Sequence, residues 1–191
     1  MYDAVIDLYC YEGTTVLKNI PGIRSQDALN EFEAAMTTQR SDEPLPHGDL
    51  DTAHYCAIHH HLFQDVYTWA GKFRTVRISK RGSAFCYPEH IAQQMQTLFD
   101  DLKSQNYFQG LSADKFAASA AHFLATLNAI HPFREGNGRA QTSFLLLLAD
   151  HAGYPLNLDK LIPGHFMEAM IASFEKDEER LTEEFKRLIV R

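Results

Sequence analysis

The sequence predicts an all-α bundle that carries one short β-hairpin. Apolar residues recur at helical spacing over most of the chain, and only the stretch around Lys80-Arg81-Gly82-Ser83 resembles a hairpin. The chain has 191 residues, 45% of them hydrophobic, which is enough for a core, and no repeat or low-complexity tract divides it. We therefore predict a single domain over residues 1–191, with an irregular arm at 1–24, a core at about 25–160 and C-terminal helices at 163–190.

Two helices are expected after the arm. The first begins at the N-cap Ser25 and continues to about Arg40, and the second runs from about Asp49 to Val66. Their apolar faces comprise Ala28, Leu29, Phe32, Ala35 and Met36 in the first helix and Tyr55, Ile58, Leu62 and Val66 in the second. Residues 72–87 then change character, because Phe73, Val76, Ile78 and Phe85 flank the hairpin turn.

The second half of the chain is predicted to be helical on both sides of one polar loop. Pro88 opens a third helix and Ser112 caps a fourth, while a fifth runs from about Asn137 to Ala152, with Gly153 as its C-terminal cap. Four consecutive leucines make this fifth helix apolar nearly all round, so we expect it to be central and buried. Two amphipathic helices follow, with core faces Phe166, Met170, Ile171 and Phe174 and then Leu181, Phe185 and Leu188.

Composition excludes several classes of function. The net charge of −7 and the absence of a basic run argue against nucleic-acid binding. No apolar run reaches the length of a membrane span, and Met1-Tyr2-Asp3-Ala4 is not the start of a signal peptide. Three cysteines without CxxC spacing are typical of reduced thiols, so we expect a cytoplasmic protein.

The residues His131-Pro132-Phe133-Arg134-Glu135-Gly136-Asn137-Gly138-Arg139 form the most informative segment of the chain. Gly136-Asn137-Gly138 opens a helix, where N–H groups and the helix dipole favour an anion and glycines allow its close approach. Arg139 can add a planar cation for the same anion.

The first half of this loop supplies a base and a metal ligand. Glu135 precedes the anion site, where a carboxylate is favourable if Mg²⁺ joins it to phosphates. His131 is suited to act as a general base for a hydroxyl, and Phe133 is expected to anchor the loop inward. The alternative is a plain turn between helices, with Arg139 as a surface charge. Neither a GxxxxGK[ST] loop nor a GxGxxG after a strand is present.

The segment from His131 to Arg139 resembles the HxFx[D/E]GNGRxxR motif of the Fic family, with the first seven of its eight defined positions matching in order. The resemblance covers about residues 1–165. Further similar segments are Phe63 to Arg74 before the hairpin, Ile78-Ser79-Lys80 and Phe85-Cys86 within it, and His151 to Tyr154.

This resemblance implies a Fic-type helical bundle with a hairpin flap and a protein adenylyltransferase that moves AMP from Mg-ATP to a hydroxyl side chain of a target protein. Carried over by position, His131 would be the catalytic base and Glu135 the Mg²⁺ ligand. The phosphates would be bound by Gly136, Asn137, Gly138 and Arg139. The target would dock on the flap residues Ile78, Ser79, Lys80 and Phe85.

The match ends at Thr142, where the family motif has its final arginine. The loss of this cation is expected to weaken ATP binding. The chain also lacks the family's inhibitory [ST]xxxE[GN] element, which implies control by a small antitoxin-like partner. For the similar short bacterial Fic toxins, type II topoisomerase subunits are the expected target class.

Two alternatives stay open at this stage. One is phosphoryl transfer, as in the Doc branch, although Gly138 favours AMP transfer because Doc has lysine there. The other is a degenerate module that binds a nucleotide or protein without catalysis, which Thr142 would favour. Outside the loop, His54 and His59-His60-His61 lack metal-ligand spacing and are read as hydrogen-bonded or solvated histidines.

Overall fold

The structure of the protein is a computed structural model that describes residues 7–80 and 82–190. Over these residues the chain forms seven α-helices and one antiparallel pair of short strands, which confirms the predicted class. The helices are α1 (Gln26–Ser41), α2 (Thr52–Phe63), α3 (Pro88–Ser104), α4 (Ala113–Ile130), α5 (Asn137–Ala152), α6 (Pro163–Phe174) and α7 (Glu179–Leu188). The strands are β1 (Ser79–Lys80) and β2 (Ser83–Ala84).

Local sequence signals set most helix ends where they were predicted. The Ser25 hydroxyl accepts a hydrogen bond from the Ala28 N–H at the start of α1. Pro88 begins α3 and Asn137 begins α5. The chain leaves α5 at Gly153, whose φ of +83° is the left-handed conformation of a helix C-terminal cap.

The prediction for α2 was too long at both ends. The helix spans Thr52–Phe63 instead of residues 49–66. At its start the Asp51 side chain accepts the His54 N–H, and the preceding Leu50 has a φ of +53°, which is incompatible with a right-handed helix. The missing turns therefore belong to the segments that enter and leave α2.

The strand pairing of the hairpin is shorter than the stretch 72–87 suggested. Ser79 pairs with Ala84 and Lys80 with Ser83. A ladder of this length contributes little by itself, because an isolated hairpin is marginal in water. Arg81, in the predicted turn, and residues 1–6 of the predicted arm lie outside the described residues.

The described chain divides into two compact units. Residues up to Ala92 together with His131–Ala140 form one, and Gln93–Ile130 together with residues 141–190 form the other. The boundaries of a single domain over residues 1–191 stay a prediction.

In the first unit α1 packs on α2, and the buried face of α2 contacts the loop 131–139. The Phe133 ring lies 5.4 Å from the Tyr55 ring and 3.7 Å from the His59 ring, centroid to centroid. The loop therefore shares its core with α2.

In the second unit α4, α6 and α7 pack together. The Phe123 ring stacks on Phe144 at 5.8 Å, and Phe99 meets Phe144 edge-on at 5.3 Å. The predicted face of α7 is confirmed, since Leu181, Phe185 and Leu188 are all buried.

Two expectations about buried faces were wrong in part. Leu145 and Leu148 are buried, but Leu146 and Leu147 are only half-buried, so α5 is not apolar-packed all round. Ile171 is exposed beside the buried Met170. The reason is common to both, because adjacent helical residues point about 100° apart and cannot share one narrow face.

The described residues also bear on the expected environment of the chain. No helix within residues 7–80 and 82–190 is long and apolar enough to cross a membrane. All three cysteines are free thiols, with Cys10 buried and Cys56 and Cys86 half-buried. Burial raises the pKa of Cys56 to about 11, which keeps this thiol protonated at neutral pH.

Candidate active site

His131 is the first residue after α4 and has an unusual backbone conformation. Its φ is +49°, in the left-handed region that side chains other than glycine rarely adopt. The residue is 5% exposed. Its ring stacks on the Phe85 ring, with centroids 4.0 Å apart and planes 20° apart. Its carbonyl accepts a hydrogen bond of 2.8 Å from the Arg74 Nε. The predicted base is therefore held at both its backbone and its ring.

The Asn137 side chain is hydrogen-bonded within the loop, and its predicted part in phosphate binding stays a prediction. Its Oδ1 accepts the Phe133 N–H at 2.9 Å and its Nδ2 donates to the Phe133 carbonyl at 2.8 Å. The side chain closes the loop on itself, as one amide satisfies both backbone groups of Phe133. The residue is 1% exposed, and its two hydrogen bonds hold the loop in shape.

The two glycines of the loop lie in contrasting environments. Gly136 has a φ of +79°, and a Cβ added there would lie 2.2 Å from the Phe63 ring, so only glycine fits. Gly138 is exposed at the start of α5, and an added Cβ would meet nothing within 4 Å. The first glycine is required by packing, whereas the second leaves open space above the helix N-terminus.

Glu135 is half-buried and is held through its backbone by His59. Its carboxylate accepts the Gly136 N–H at 3.0 Å, and its carbonyl lies 2.9 Å from the His59 Nε2. The Gly71 N–H donates to the His59 Nδ1 at 2.9 Å. Because Nδ1 accepts, a neutral ring must carry its proton on Nε2, which then donates to the Glu135 carbonyl.

His59 is fully buried and hydrogen-bonded, whereas the sequence analysis named it only as one of four hydrogen-bonded or solvated histidines. Burial lowers its pKa to about 3, so the ring stays neutral and its tautomer is fixed. The ring is sandwiched by Phe133 at 3.7 Å and Phe63 at 4.7 Å. Its position four residues before Phe63, on the apolar face of α2, is the signal that could have marked it as buried.

Arg139 is half-exposed and already has an anionic partner. Its Nη2 lies 2.5 Å from Glu33 Oε1, and its Nη1 donates to the Thr37 hydroxyl at 3.2 Å. Its Cζ lies 4.6 Å from the Phe63 ring centroid. The Tyr67 hydroxyl donates to the other Glu33 oxygen, and burial together with Glu33 raises the pKa of Tyr67. The sequence predicted that Arg139 binds the phosphate anion. In the structure its guanidinium already pairs with the Glu33 carboxylate of α1.

Arg134, between the predicted anchor and the predicted metal ligand, is also held by an acidic residue. It is 3% exposed, and its Nε and Nη2 lie 2.8 Å and 2.5 Å from Asp7 Oδ2. The Asp7 carboxylate also accepts the Tyr9 N–H at 3.1 Å. The N-terminal arm therefore reaches the loop through an ion pair that sequence spacing gave no means of predicting.

The four predicted flap residues differ in exposure. Ile78 and Phe85 are buried, Ser79 is half-buried and Lys80 is exposed. The side chains of Ile78 and Phe85 pack in the protein interior, and the docking role of all four residues stays a prediction. A docked chain would meet the Ser79 and Lys80 part of the hairpin.

The remaining sequence features lie outside this geometry. Thr142 is exposed on α5, three residues after Arg139. The histidines His54, His60 and His61 hydrogen-bond to the carbonyls of Pro46, Ala70 and Arg40, respectively. Each therefore has a backbone partner within the described residues, in line with the reading of hydrogen-bonded histidines.

Comparison with known proteins assigns this geometry to a family. Residues 49–149 match the model of the Fic/DOC family. The chain is 49% identical, over 98% of both chains, to a probable protein adenylyltransferase of Sinorhizobium fredii. It is 38% identical to the probable protein adenylyltransferase Fic of Salmonella typhimurium, over 79% of this chain and 76% of that protein.

Solved structures share the fold. The BepC protein of Bartonella tribocorum, with bound AMPPNP, superposes with a TM-score of 0.84 at 27% identity, over 95% of this chain and 96% of that one. The N-terminal Fic domain of a Bartonella quintana cell filamentation protein, with bound ADP, gives 0.83 at 30% identity, over 95% and 94%.

Proposed function

The chain belongs to the Fic/DOC family and is a protein adenylyltransferase, and from this premise we propose that it transfers AMP from Mg-ATP to a hydroxyl side chain of a target protein. The observation that carries the proposal is the loop 131–139, which matches the family motif from His131 through Arg139 and holds a histidine, a carboxylate and a glycine-flanked helix N-terminus on one short segment. Nucleotides bound to the BepC and Bartonella quintana structures support ATP as the substrate.

We assign the base role to His131. Its imidazole would remove the proton of the acceptor hydroxyl as the oxygen attacks the α-phosphorus and pyrophosphate leaves. The restrained backbone and the stacked ring support this role, because a base that is held in place loses little entropy in the transition state.

The phosphates would lie at the N-terminus of α5. Backbone N–H groups at a helix start favour an anion, and Gly138 leaves room for its approach. Arg139 would contribute donors from its half-exposed guanidinium, oriented by Glu33. Asn137 and Gly136 would act by fixing the shape of the loop.

The residues present fit a magnesium ion. Glu135 supplies one hard carboxylate beside the expected phosphates, and Mg²⁺ is commonly bound by one or two carboxylates plus substrate phosphates. Glu135 would hold the ion, which would neutralise charge on the phosphates when bound. The protein's own part is to hold this carboxylate in place through the hydrogen bond from His59 to the Glu135 carbonyl.

The acceptor would be an extended segment of the target protein docked along the hairpin. The exposed part of the hairpin offers strand edges near Ser79 and Lys80 to such a segment. By family resemblance, we propose a bacterial type II topoisomerase subunit as the target, a small antitoxin-like protein as the inhibitor, and the cytoplasm as the location.

The deciding experiment uses ATP labelled at either the α or the γ phosphate, incubated with the purified chain, Mg²⁺ and a candidate target. We expect label from the α phosphate in the target. Label from γ alone would replace the proposal with phosphoryl transfer, as in Doc. No transfer from either position would favour a binding module, which the exposed Thr142 in place of an arginine makes a specific rival.

A further inference from the structure

Arg74 is a buried arginine that binds both the loop 131–139 and the segments beside the hairpin. It is 2% exposed. Its guanidinium donates to three backbone carbonyls: from Nε to His131 at 2.8 Å, from Nη1 to Val76 at 2.7 Å and from Nη2 to Cys86 at 2.6 Å. Burying a guanidinium costs several kcal/mol unless its donors are satisfied, so its presence points to a geometric task.

One end of this network fixes the backbone of the proposed base. The Arg74 side chain holds the His131 carbonyl, while the Arg74 backbone N–H donates to the next carbonyl, that of Pro132, at 2.8 Å. Two consecutive carbonyls are thus bound by a single residue. This arrangement can hold His131 in its left-handed conformation, which is otherwise unfavourable for a residue other than glycine.

The other end fixes the two chain segments that lead into and out of the hairpin. Val76 lies before β1 and Cys86 lies after β2, and both carbonyls accept from the same guanidinium. Cys86 follows Phe85, whose ring stacks on His131. The same cation therefore sets the backbone of the base and the backbone beside the aromatic ring that covers it.

We propose that Arg74 is a positioning residue that sets the orientation of His131 relative to the hairpin and so controls acceptor attack, an inference that rests on the proposed function. Only a planar guanidinium presents donors in three directions in one plane, whereas a lysine ammonium is a compact point charge on a flexible stem. The described bonds of the Arg74 guanidinium lead to His131 and to the two segments beside the hairpin, whereas the nucleotide phosphates would lie at the α5 N-terminus.

Arg74→Lys tests whether Arg74 affects attack by the acceptor without affecting nucleotide binding. We expect kcat to fall roughly tenfold to a hundredfold and KM for the acceptor to rise, because small misplacements of a base are that costly. The affinity for ATP, measured by calorimetry, should stay within about twofold. Wild-type kcat, or an equal loss of ATP affinity, would overturn the proposal.

Arg40→Lys provides the matched control. Arg40 belongs to α1 and its guanidinium pairs with Asp65 and Glu43, so the same chemical change is made at an arginine whose carboxylate partners lie outside the loop 131–139 and the hairpin. We expect Arg40→Lys to lower the melting temperature and to leave kcat unchanged. If both variants lose kcat in proportion to their stability, Arg74 is only a structural residue.

A second readout does not depend on catalysis. The His131 ring protons lie against the Phe85 ring and should resonate upfield in the NMR spectrum of histidine-labelled protein. Arg74→Lys should move these signals and Arg40→Lys should not. If wild-type protein transfers no AMP, the proposed function fails, and Arg74 is then judged on these signals alone, with unchanged signals contradicting it.

Phe85→Leu covers the case in which Arg74→Lys does not fold. It removes the aromatic contact while leaving all three guanidinium bonds in place. We expect a weaker form of the same pattern, with a lower kcat, a higher acceptor KM and unchanged ATP affinity. If Phe85→Leu retained all wild-type kinetic constants, the link from Arg74 through the hairpin to the base would be refuted.

Discussion

The loop 131–139 and the hairpin are neighbours within the first unit, but they are stabilised in opposite ways. The loop is held by buried donors and acceptors from four sources, namely Arg74, His59, Asp7 and its own Asn137. The hairpin has two paired residues in each strand, and its far end is exposed.

This difference indicates which half of the reaction is prepared in advance. Hydrogen bonds and ion pairs that are already satisfied cost no reorganisation when the nucleotide arrives, which is the basis of electrostatic preorganisation. On the acceptor side, a docked segment could extend the short hairpin by strand addition. Under the proposed function, the protein alone would supply the phosphate site, and the target would complete its own docking site.

The largest effect should come from replacing His131, the loop residue whose ring stacks on Phe85 beside the hairpin. We expect His131→Ala to lower kcat on the order of a hundredfold to ten-thousandfold, the usual contribution of general-base catalysis, with ATP binding retained. Labelled AMP transfer and ATP calorimetry measure the two quantities. His165→Ala, at an exposed position of α6, is the control. Undiminished transfer by His131→Ala would remove the base assignment.

Asn137→Ala tests whether hydrogen bonds within the loop 131–139 hold it in shape. Asn137→Ala deletes both bonds to the Phe133 backbone and leaves buried groups unpaired, so we expect the free energy of unfolding to fall by roughly 2–5 kcal/mol. Denaturant unfolding measures this loss. Asn30→Ala, at an exposed position of α1, should change stability by less than about 0.5 kcal/mol. A similar small change at Asn137 would show that the loop holds its shape by other means.

A change of pH tests the same region through His59. Its pKa is about 3 in the folded protein and 6.5 without the fold. Between these values only the unfolded chain binds the proton, so the free energy of unfolding is fully retained above about pH 6.5 and falls by about 1.4 kcal/mol per unit as the pH drops.

The His59 contribution is obtained by subtraction. Denaturant unfolding from pH 8 to pH 4.5 is compared between the wild type and His59→Gln, since all other ionisable groups are the same in the two proteins. The variant should lose the part of the slope that His59 supplies. Parallel stability curves for the two proteins would contradict a buried neutral histidine.

The smallest expected effect is a change in the affinity for ATP. Thr142→Arg restores the cation of the family motif at an exposed site of α5, and a charged hydrogen bond to phosphate is worth about 1.5 kcal/mol or more, so ATP affinity should rise roughly tenfold. Calorimetry measures this affinity, and Thr142→Gln controls for side-chain size without charge. Equal affinities for Arg and Gln would mean that the site already compensates for the missing charge.

Much of the fold was readable from local pattern. Helical spacing and caps placed all seven helices of the described chain, with errors at the ends of α2 and in the extent of the hairpin. The loop was found because its residue types lie together in the sequence. The side chains that hold the loop were missed, since Arg74 is 57 residues from His131, and Glu33 is 106 from Arg139.

The sequence by itself determined the class of the fold, the family and the chemistry available in residues 131–139, because periodicity, capping and a contiguous motif are local properties of the chain. Only the tertiary structure decided how these groups are used. It turned Asn137 inward, gave Arg139 a carboxylate, buried Phe85 against His131 and placed Arg74 between the base and the hairpin. These outcomes depend on which distant groups become buried together, where unpaired polar atoms are costly, and no local pattern encodes that choice.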